Sequence, residues 1–262
     1  WGDGHVEEIT LPVGDRAFTF SHCYVDDLPG VTPPDDMYVI TVEVSDGIMT
    51  DSDGTTAEVH NTAPSILTIG TTAPEVGDAG VGQDVALAAT FEDPGVMDTH
   101  TAVIDWGDGA VEPGDLADGT VAGTHAYDQG GCYTVTVTIT DDDGGEAVAE
   151  TAALVTGAGL TADGRLQVVG TAGNDVIHVS KYWTSWIVRA SFLPGWPLGG
   201  TAAYASSDVD EVAVLSGGGD DRVTILGNAD TPTCADGGAG HDTLTGGDGP
   251  DLLIGGDGDD LL

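Results

Sequence analysis

Between Tyr133 and Asp141 the chain reads Tyr-Thr-Val-Thr-Val-Thr-Ile-Thr-Asp, with an apolar residue at every second place and threonine between. A period of two marks a strand with one face buried and one wet, as in an antiparallel sandwich. A similar strand reads Tyr38-Val-Ile-Thr-Val-Glu-Val-Ser-Asp46. Short Val/Thr/Ile/Leu runs alternate with Gly-Asp clusters, which predicts strands joined by turns. A sustained 3.6-residue apolar period with caps is missing, so almost no helix is expected. The last 26 residues change rhythm: Gly237-Gly-Ala-Gly-His-Asp-Thr-Leu-Thr, Gly246-Gly-Asp-Gly-Pro-Asp-Leu-Leu-Ile and Gly255-Gly-Asp-Gly-Asp-Asp-Leu-Leu follow without a gap. The shared pattern, G-G-x-G-x-D-x-U-x with U apolar, predicts a parallel β-roll. Glycines at the first, second and fourth places permit backbone angles that a side chain forbids. The eighth places, Leu244, Leu253 and Leu262, are expected to point into a thin core. The sixth places, Asp242, Asp251 and Asp260, are expected to face outward from stacked turns.

Two copies of one motif order fill the first 155 residues. Trp1-Gly-Asp-Gly4 recurs as Trp106-Gly-Asp-Gly109, His22-Cys-Tyr24 as His125-Ala-Tyr127, and the Tyr38–Asp46 strand as Tyr133–Asp141. A repeat spaced by about 100 residues means tandem domains, not a solenoid. The first copy lacks its opening strands, so 1–60 is expected to be the C-terminal half of a sandwich and 66–155 a complete one. Between Tyr24 and Tyr38 lie 13 residues, against five between Tyr127 and Tyr133; the longer loop, with Pro33-Pro34, reads as a surface excursion. Asn61-Thr-Ala-Pro64 reads as a rigid extended linker, and a second boundary is expected near Thr156-Gly-Ala-Gly159. From 160 to 262, degenerate repeats precede the strict ones. Gly170-Thr-Ala-Gly-Asn-Asp175 and Ser216-Gly-Gly-Gly-Asp-Asp221 keep the sixth-place aspartate, whereas counting back from Gly237 puts Thr233 at that place and breaks the register.

Length allows roughly two domains of ordinary size. Forty-five acidic against five basic residues give a formal charge of −40. Nucleic acid and anionic lipid are repelled, and cations are the natural partners. Three cysteines in three segments, Cys23, Cys132 and Cys234, suit buried or semi-buried thiols, not a disulfide framework. No apolar run approaches 18 residues, so no membrane insertion is expected. The chain opens in what reads as mid-domain and is expected to be a piece of a longer protein, which makes the lack of a signal peptide uninformative.

The order Trp106-Gly-Asp-Gly109, His125, Tyr127 and the Tyr133–Asp141 strand resembles the PKD domain, an immunoglobulin-like sandwich of polycystin and many secreted bacterial proteins. The nonapeptides resemble hemolysin-type (RTX) calcium-binding repeats, strictly over 237–262 and loosely over 170–225. Together these imply an all-β chain: immunoglobulin-like β-sandwich domains, the first truncated, followed by a short parallel β-roll or β-solenoid. Calcium takes six to eight oxygens from carboxylates and carbonyls, and a glycine-rich turn with one aspartate offers both. The candidate metal positions are Gly237, Ala239 and Asp242; Gly246, Asp248 and Asp251; and Gly255, Asp257 and Asp260, with Asp175 and Asp221 as weaker ones. The resemblance implies two repeats per coil, each ion held between neighbouring loops on one side. Loops 237–242 and 255–260 then form one complete site, and 246–251 lacks a full partner. Extracellular modules of this sort bind calcium at about 10⁻⁴ to 10⁻³ M.

Other residues attract blander readings. Asp3 and Asp108 are expected to bond their own turns, and His22 and His125 to pack. Asp257 and Asp259 add negative field through their side chains. Tyr182, Trp183, Trp186 and Trp196 suit a cap on the solenoid core, with a sugar-stacking platform as the alternative. Gly157-Ala-Gly159 mimics a dinucleotide loop, but no strand–helix unit surrounds it. H-E-x-x-H, G-x-S-x-G and a Walker lysine are all missing, so no enzyme activity is expected. The expected role is a calcium-binding, non-catalytic region of a secreted or surface-displayed protein. It would supply spacer or adhesion modules, with a cell-surface protein or glycan as further partner. By analogy with the family, the roll accompanies type I secretion and folds outside the cell. The competing reading is an accessory region of a secreted protease or polysaccharide-degrading enzyme.

Overall fold

The computed structural model describes residues 1–24, 35–195, 199–226 and 231–262. The Pro33-Pro34 loop and Trp196 lie outside the described residues. All regular structure is strand. Strands β1 (Asp35–Ser45) and β2 (Thr50–His60) form an antiparallel hairpin. Residues 1–24 add no strand, but they build an aromatic stack against β1. Trp1 stacks on His22 at 4.9 Å, His22 meets Tyr24 edge-on, and Tyr24 stacks on Tyr38 at 4.5 Å.

The next nine strands form a complete sandwich: β3 (Ser65–Thr71), β4 (Ala79–Gly80), β5 (Asp84–Glu92), β6 (His100–Asp105), β7 (Val111–Pro113), β8 (Asp115–Ala117), β9 (Thr120–Ala126), β10 (Gly131–Asp141) and β11 (Glu146–Leu160). One sheet runs β3-β5-β9-β8. The other runs β11-β10-β6-β7, with β4 parallel to β11. The apolar set of β10, Val135, Val137 and Ile139, is fully buried in one core with Val85, Leu87 and Val121 of the facing sheet. The aromatic stack of the first segment reappears here. Trp106 lies on His125 at 5.2 Å, Tyr127 on Tyr133 at 4.2 Å, and the Tyr127 hydroxyl donates to the Trp106 carbonyl at 3.0 Å. Gly107 sits at φ +80° against the Thr134 carbonyl, a place no side chain could take.

The remaining strands are β12 (Arg165–Thr171), β13 (Val176–Lys181), β14 (Ser185–Ala190), β15 (Gly200–Ala205), β16 (Glu211–Gly217), β17 (Arg222–Leu226), β18 (Thr233–Asp236), β19 (Thr243–Thr245) and β20 (Asp251–Ile254). They wind a coil of four rungs. One wall is β12-β16-β18-β20, all parallel; the other is β13-β17-β19, also parallel, extended by the β14–β15 hairpin. The fourth rung closes through a parallel bridge between Thr243 and Leu261. Leu166, Ile177, Val179, Val212, Val223, Ile225 and Leu244 fill the narrow core between the walls.

Five expectations need correction, the first being that Cys23 and Cys132, expected as buried or semi-buried thiols, are exposed. The boundary near Thr156–Gly159 falls inside β11, which leaves the sandwich and pairs antiparallel with β12, so one sheet passes unbroken into the coil. Extended backbone pairs on both edges there, and glycine does not oblige a break. The aromatic cluster divides: Trp186 is buried in the coil core, while Tyr182 and Trp183 are exposed at the β13–β14 turn. Leu262, expected in the core, is 61% exposed, and Asp242, expected outside, is 1% exposed.

Candidate metal centre

Each rung turns from the first wall to the second through one loop, and these loops stack. Parallel bridges join Gly218 to Ala239 and Ala239 to Asp257, so loops 216–221, 237–242 and 255–260 lie in one column. Loop 170–175 heads it, the Thr171 carbonyl accepting from Gly218 N–H at 3.1 Å. Their sixth-place aspartates form a ladder. Asp175 N–H donates to Asp221 Oδ1 at 2.7 Å, Asp221 N–H to Asp242 Oδ1 at 2.8 Å, and Asp242 N–H to Asp260 Oδ1 at 2.9 Å. At Asp221, Asp242 and Asp260 one carboxylate oxygen thus holds the preceding turn in place, and the other is left for something else.

What meets that second oxygen differs down the column. Asp175 is fully engaged: its Oδ2 accepts from Thr171 N–H at 2.7 Å and Thr171 Oγ1 at 2.9 Å, and its Oδ1 from Ser191 Oγ at 2.7 Å. Asp221 Oδ2 and Asp242 Oδ2 are buried without a hydrogen-bond partner. Burial pushes the Asp221 carboxyl up to about 6; the Asp175 N–H and the nearby Ser216 hydroxyl hold the rise back, and the Asp175 and Asp242 carboxylates add to it. An unpaired buried oxygen costs on the order of 1–3 kcal/mol, and more when charged.

The first-place glycines shape the cradle. A Cβ at Gly237 would collide with both Asp242 Oδ2 and the Gly255 carbonyl, so oxygens from two successive rungs converge on that point. At Gly246 and Gly255 the same aspartate oxygen, Oδ2 of Asp251 and of Asp260, takes the Cβ position. The second rung has Ser216 at this place, and its hydroxyl donates to the Gly237 carbonyl at 3.0 Å. The ligand atoms around Asp221, Asp242 and Asp260 are carboxylate and carbonyl oxygens with the Ser216 hydroxyl beside them, an all-oxygen set of the kind a hard divalent cation takes. The residues fit calcium.

The opposite side of the coil does not repeat this. Asp251 is exposed, and in register with it stands Thr233, whose hydroxyl donates to Asp251 Oδ1. Asp248 is exposed on the same loop. Higher on that side, Lys181 Nζ reaches Thr231 Oγ1 at 3.0 Å and lies 5.5 Å from the Trp186 ring centre, so an ammonium stands near that end. Sequence reasoning paired 237–242 with 255–260 but left loop 216–221 as a weak candidate beside them. The sequence separations down the ladder are 46, 21 and 18 residues, and only the last is two nonapeptides. Matching sixth-place aspartates across the insertion would have found the column.

Asp3 and Asp108 bond their own turns, accepting from His5 N–H at 2.9 Å and Ala110 N–H at 3.0 Å. Each also holds the packed histidine: His22 Nε2 lies 2.6 Å from Asp3 Oδ2, and His125 Nε2 lies 2.8 Å from Asp108 Oδ2. A cluster missed in the sequence gathers Asp93, Asp98 and Asp141 at the sandwich rim. There Asp93 is held by His100 at 2.8 Å and Asp141 by Asn61 at 3.0 Å.

A two-sheet sandwich running into a parallel, aspartate-laddered coil defines an all-β chain of immunoglobulin-like and β-roll type. The chain carries a PKD domain, matched over residues 61–155, followed by RTX calcium-binding nonapeptide repeats in four copies, matched over 167–180 and 236–262. Both families are typically non-catalytic modules and occur in secreted or surface proteins of bacteria. Among solved structures, the chain is similar to the PKD domain of an M14-like peptidase from a Thermoplasmatales archaeon. Identity is 28% over 36% of this chain and 97% of that one, with a TM-score of 0.31. It is also similar to the PKD1 domain of Vibrio anguillarum Epp, 21% identical over 37% of this chain and 96% of that one, TM-score 0.27. A third is the PKD1 domain of the Vibrio cholerae metalloprotease PrtV, 22% identical over 36% and 98%, TM-score 0.27. No curated protein matches the chain. Among the described residues no helix is long and apolar enough to cross a membrane.

Proposed function

We propose that the coil is a calcium-triggered folding element in a non-catalytic, spacer or adhesive region of a secreted or surface protein. The observation that carries this is the pair of buried, unpaired oxygens, Asp221 Oδ2 and Asp242 Oδ2, one rung apart on a single ladder. Rungs about 4.8 Å apart bring unit charges to a repulsion of about 1 kcal/mol in water and about 3 at a surface-like dielectric. A divalent ion between loops reverses that sign, so winding and binding become one equilibrium.

Two ion positions follow. Loops 237–242 and 255–260 supply Asp242, Asp260 and the carbonyls of Gly237, Ala239, Gly255 and Asp257. Loops 216–221 and 237–242 supply Asp221, Asp242 and carbonyls of the same places, with the Ser216 hydroxyl beside them. Asp175 holds no ion in this reading, because Thr171 and Ser191 already satisfy it. Asp251 and Asp248 belong to a column that Thr233 leaves incomplete. The upper rungs are anchored to the sandwich instead: Gln167 Oε1 on the first accepts from Cys132 N–H at 2.7 Å, and Val76 packs on Gly217 of the second. The sandwich thus templates the upper rungs, and calcium winds the lower ones.

Residues 1–60 are, in this reading, the second half of another PKD-like sandwich; the repeated Trp-His-Tyr-Tyr stack supports it. The test is calcium titration of the whole chain followed by circular dichroism. A gain of β signal at calcium between about 10⁻⁴ and 10⁻³ M is expected. A spectrum indifferent to both calcium and chelator overturns the reading.

A further inference from the structure

In a chain with 45 acidic and five basic residues, one sheet carries no acid within its strands. The five strands β15, β14, β13, β17 and β19, which form one sheet, hold neither Asp nor Glu, yet three of the five basic residues, Lys181, Arg189 and Arg222, lie in them. Alternation buries Ile177, Val188 and Val223 and turns His178, Arg189 and Arg222 to the outer face. His178 is paired across the sheet with Arg189, and Arg222 stands beside Val176 on the next strand. Strand spacing and rise put the two arginine backbones about 12 Å apart with His178 between them. Among the described residues, the one arginine with a carboxylate partner is Arg165, on Glu211, so Arg189 and Arg222 find none despite the surplus of acids.

A second observation lies at the other end of the same hairpin. Trp183 is 100% exposed in the β13–β14 turn, beside Tyr182 at 56%. From His178 to Trp183 the strand covers about 16 Å. An exposed indole at one end and unpaired guanidinium groups at the other form a strip suited to an extended ligand with flat apolar faces and regularly spaced negative charge.

We propose that this face binds an acidic polysaccharide, with Arg189 and Arg222 forking onto sugar carboxylates and Trp183 lying against a sugar ring. Arginine matches carboxylate geometry bidentately, and the indole offers a rigid apolar plate with little entropy to lose. The net charge of the molecule repels polyanions at long range, but physiological salt screens that field beyond about 8 Å, so the acid-free strands and the acids at their ends, such as Asp220, set the contact. The inference rests on the calcium reading only in that β17 and β19 stand when the coil is wound.

The test titrates the full chain, saturated with calcium at physiological salt, with size-defined hyaluronate oligosaccharides and, separately, uncharged dextran. Binding to hyaluronate and none to dextran is expected. Arg189→Gln with Arg222→Gln should weaken binding at least tenfold, and Trp183→Ala several-fold, while each variant keeps the calcium-induced dichroism change. Failure of wild type to bind hyaluronate, equal binding to dextran, or indifference to the double substitution overturns the proposal. A missing calcium response in the wild type sinks the calcium reading instead, so the two failures are told apart in one sample set.

Discussion

Asp242→Asn separates the two roles of the ladder. The amide keeps the shape and the Oδ1 that accepts from Asp221 N–H, and it removes one charge. Asp242 stands one strand spacing, about 4.8 Å, from Asp221 on one side and Asp260 on the other. Each repulsion is about 1 kcal/mol in water and about 3 at a surface-like dielectric, so two of them sum to about 2–6. Asp260 is partly exposed and screened, which draws the net gain toward about 1–2 kcal/mol. In chelator the variant should therefore wind more readily than wild type. In calcium the sign reverses: the ion loses a charged ligand shared by both positions, and calcium affinity should fall tenfold or more, about 1.4 kcal/mol. Urea unfolding followed by circular dichroism, run once in chelator and once in millimolar calcium, reads both. Equal destabilisation in the two conditions would show that Asp242 is only a structural hydrogen-bond acceptor, and the calcium ladder would be refuted.

Further expectations use the same assay. Asp221 keeps its proton in the wound coil up to about pH 6, whereas the unfolded chain releases it near the ordinary 3.8. The metal-free coil then loses stability as pH rises through that window, so in chelator it should melt higher at pH 5 than at pH 7. With calcium present the order should invert, since the ion must displace that proton; melting curves at both pH values check this. Asp175→Asn should destabilise by about 1–3 kcal/mol equally with and without calcium, because its partners are Thr171 and Ser191. Calorimetry should return unchanged calcium stoichiometry for it. Thr233→Asp places a carboxylate in register with Asp251 on the opposite column. It should lower stability in chelator and add calcium stoichiometry, and an unchanged ion count would count against the two-column geometry.

Much of this molecule is legible in one dimension because its elements are periodic. The alternating Val135, Val137 and Ile139 declare a half-buried strand, and the Gly-Gly-x-Gly-x-Asp run of 237–242 declares a turn with oxygen to offer. The paired Trp-Gly-Asp-Gly and His-x-Tyr motifs announce a duplicated stack without coordinates. The column itself is hidden by the 46-residue separation of Asp175 and Asp221, which the inserted β14–β15 hairpin lengthens. Trp183 and Trp186, three residues apart, read alike, yet one is fully exposed and the other fully buried.

The sequence by itself determined the all-β character, the sandwich followed by a roll, and the oxygen chemistry of the repeats, because each follows from local spacing and backbone preference. Only the tertiary structure decided which aspartates share a ladder, which of their oxygens stay unpaired, and that β11 joins the two modules in one sheet. Those outcomes depend on register between strands distant in sequence. A hydrogen bond satisfied at Asp175 by Ser191, or left open at Asp242, arises only once the rungs are stacked.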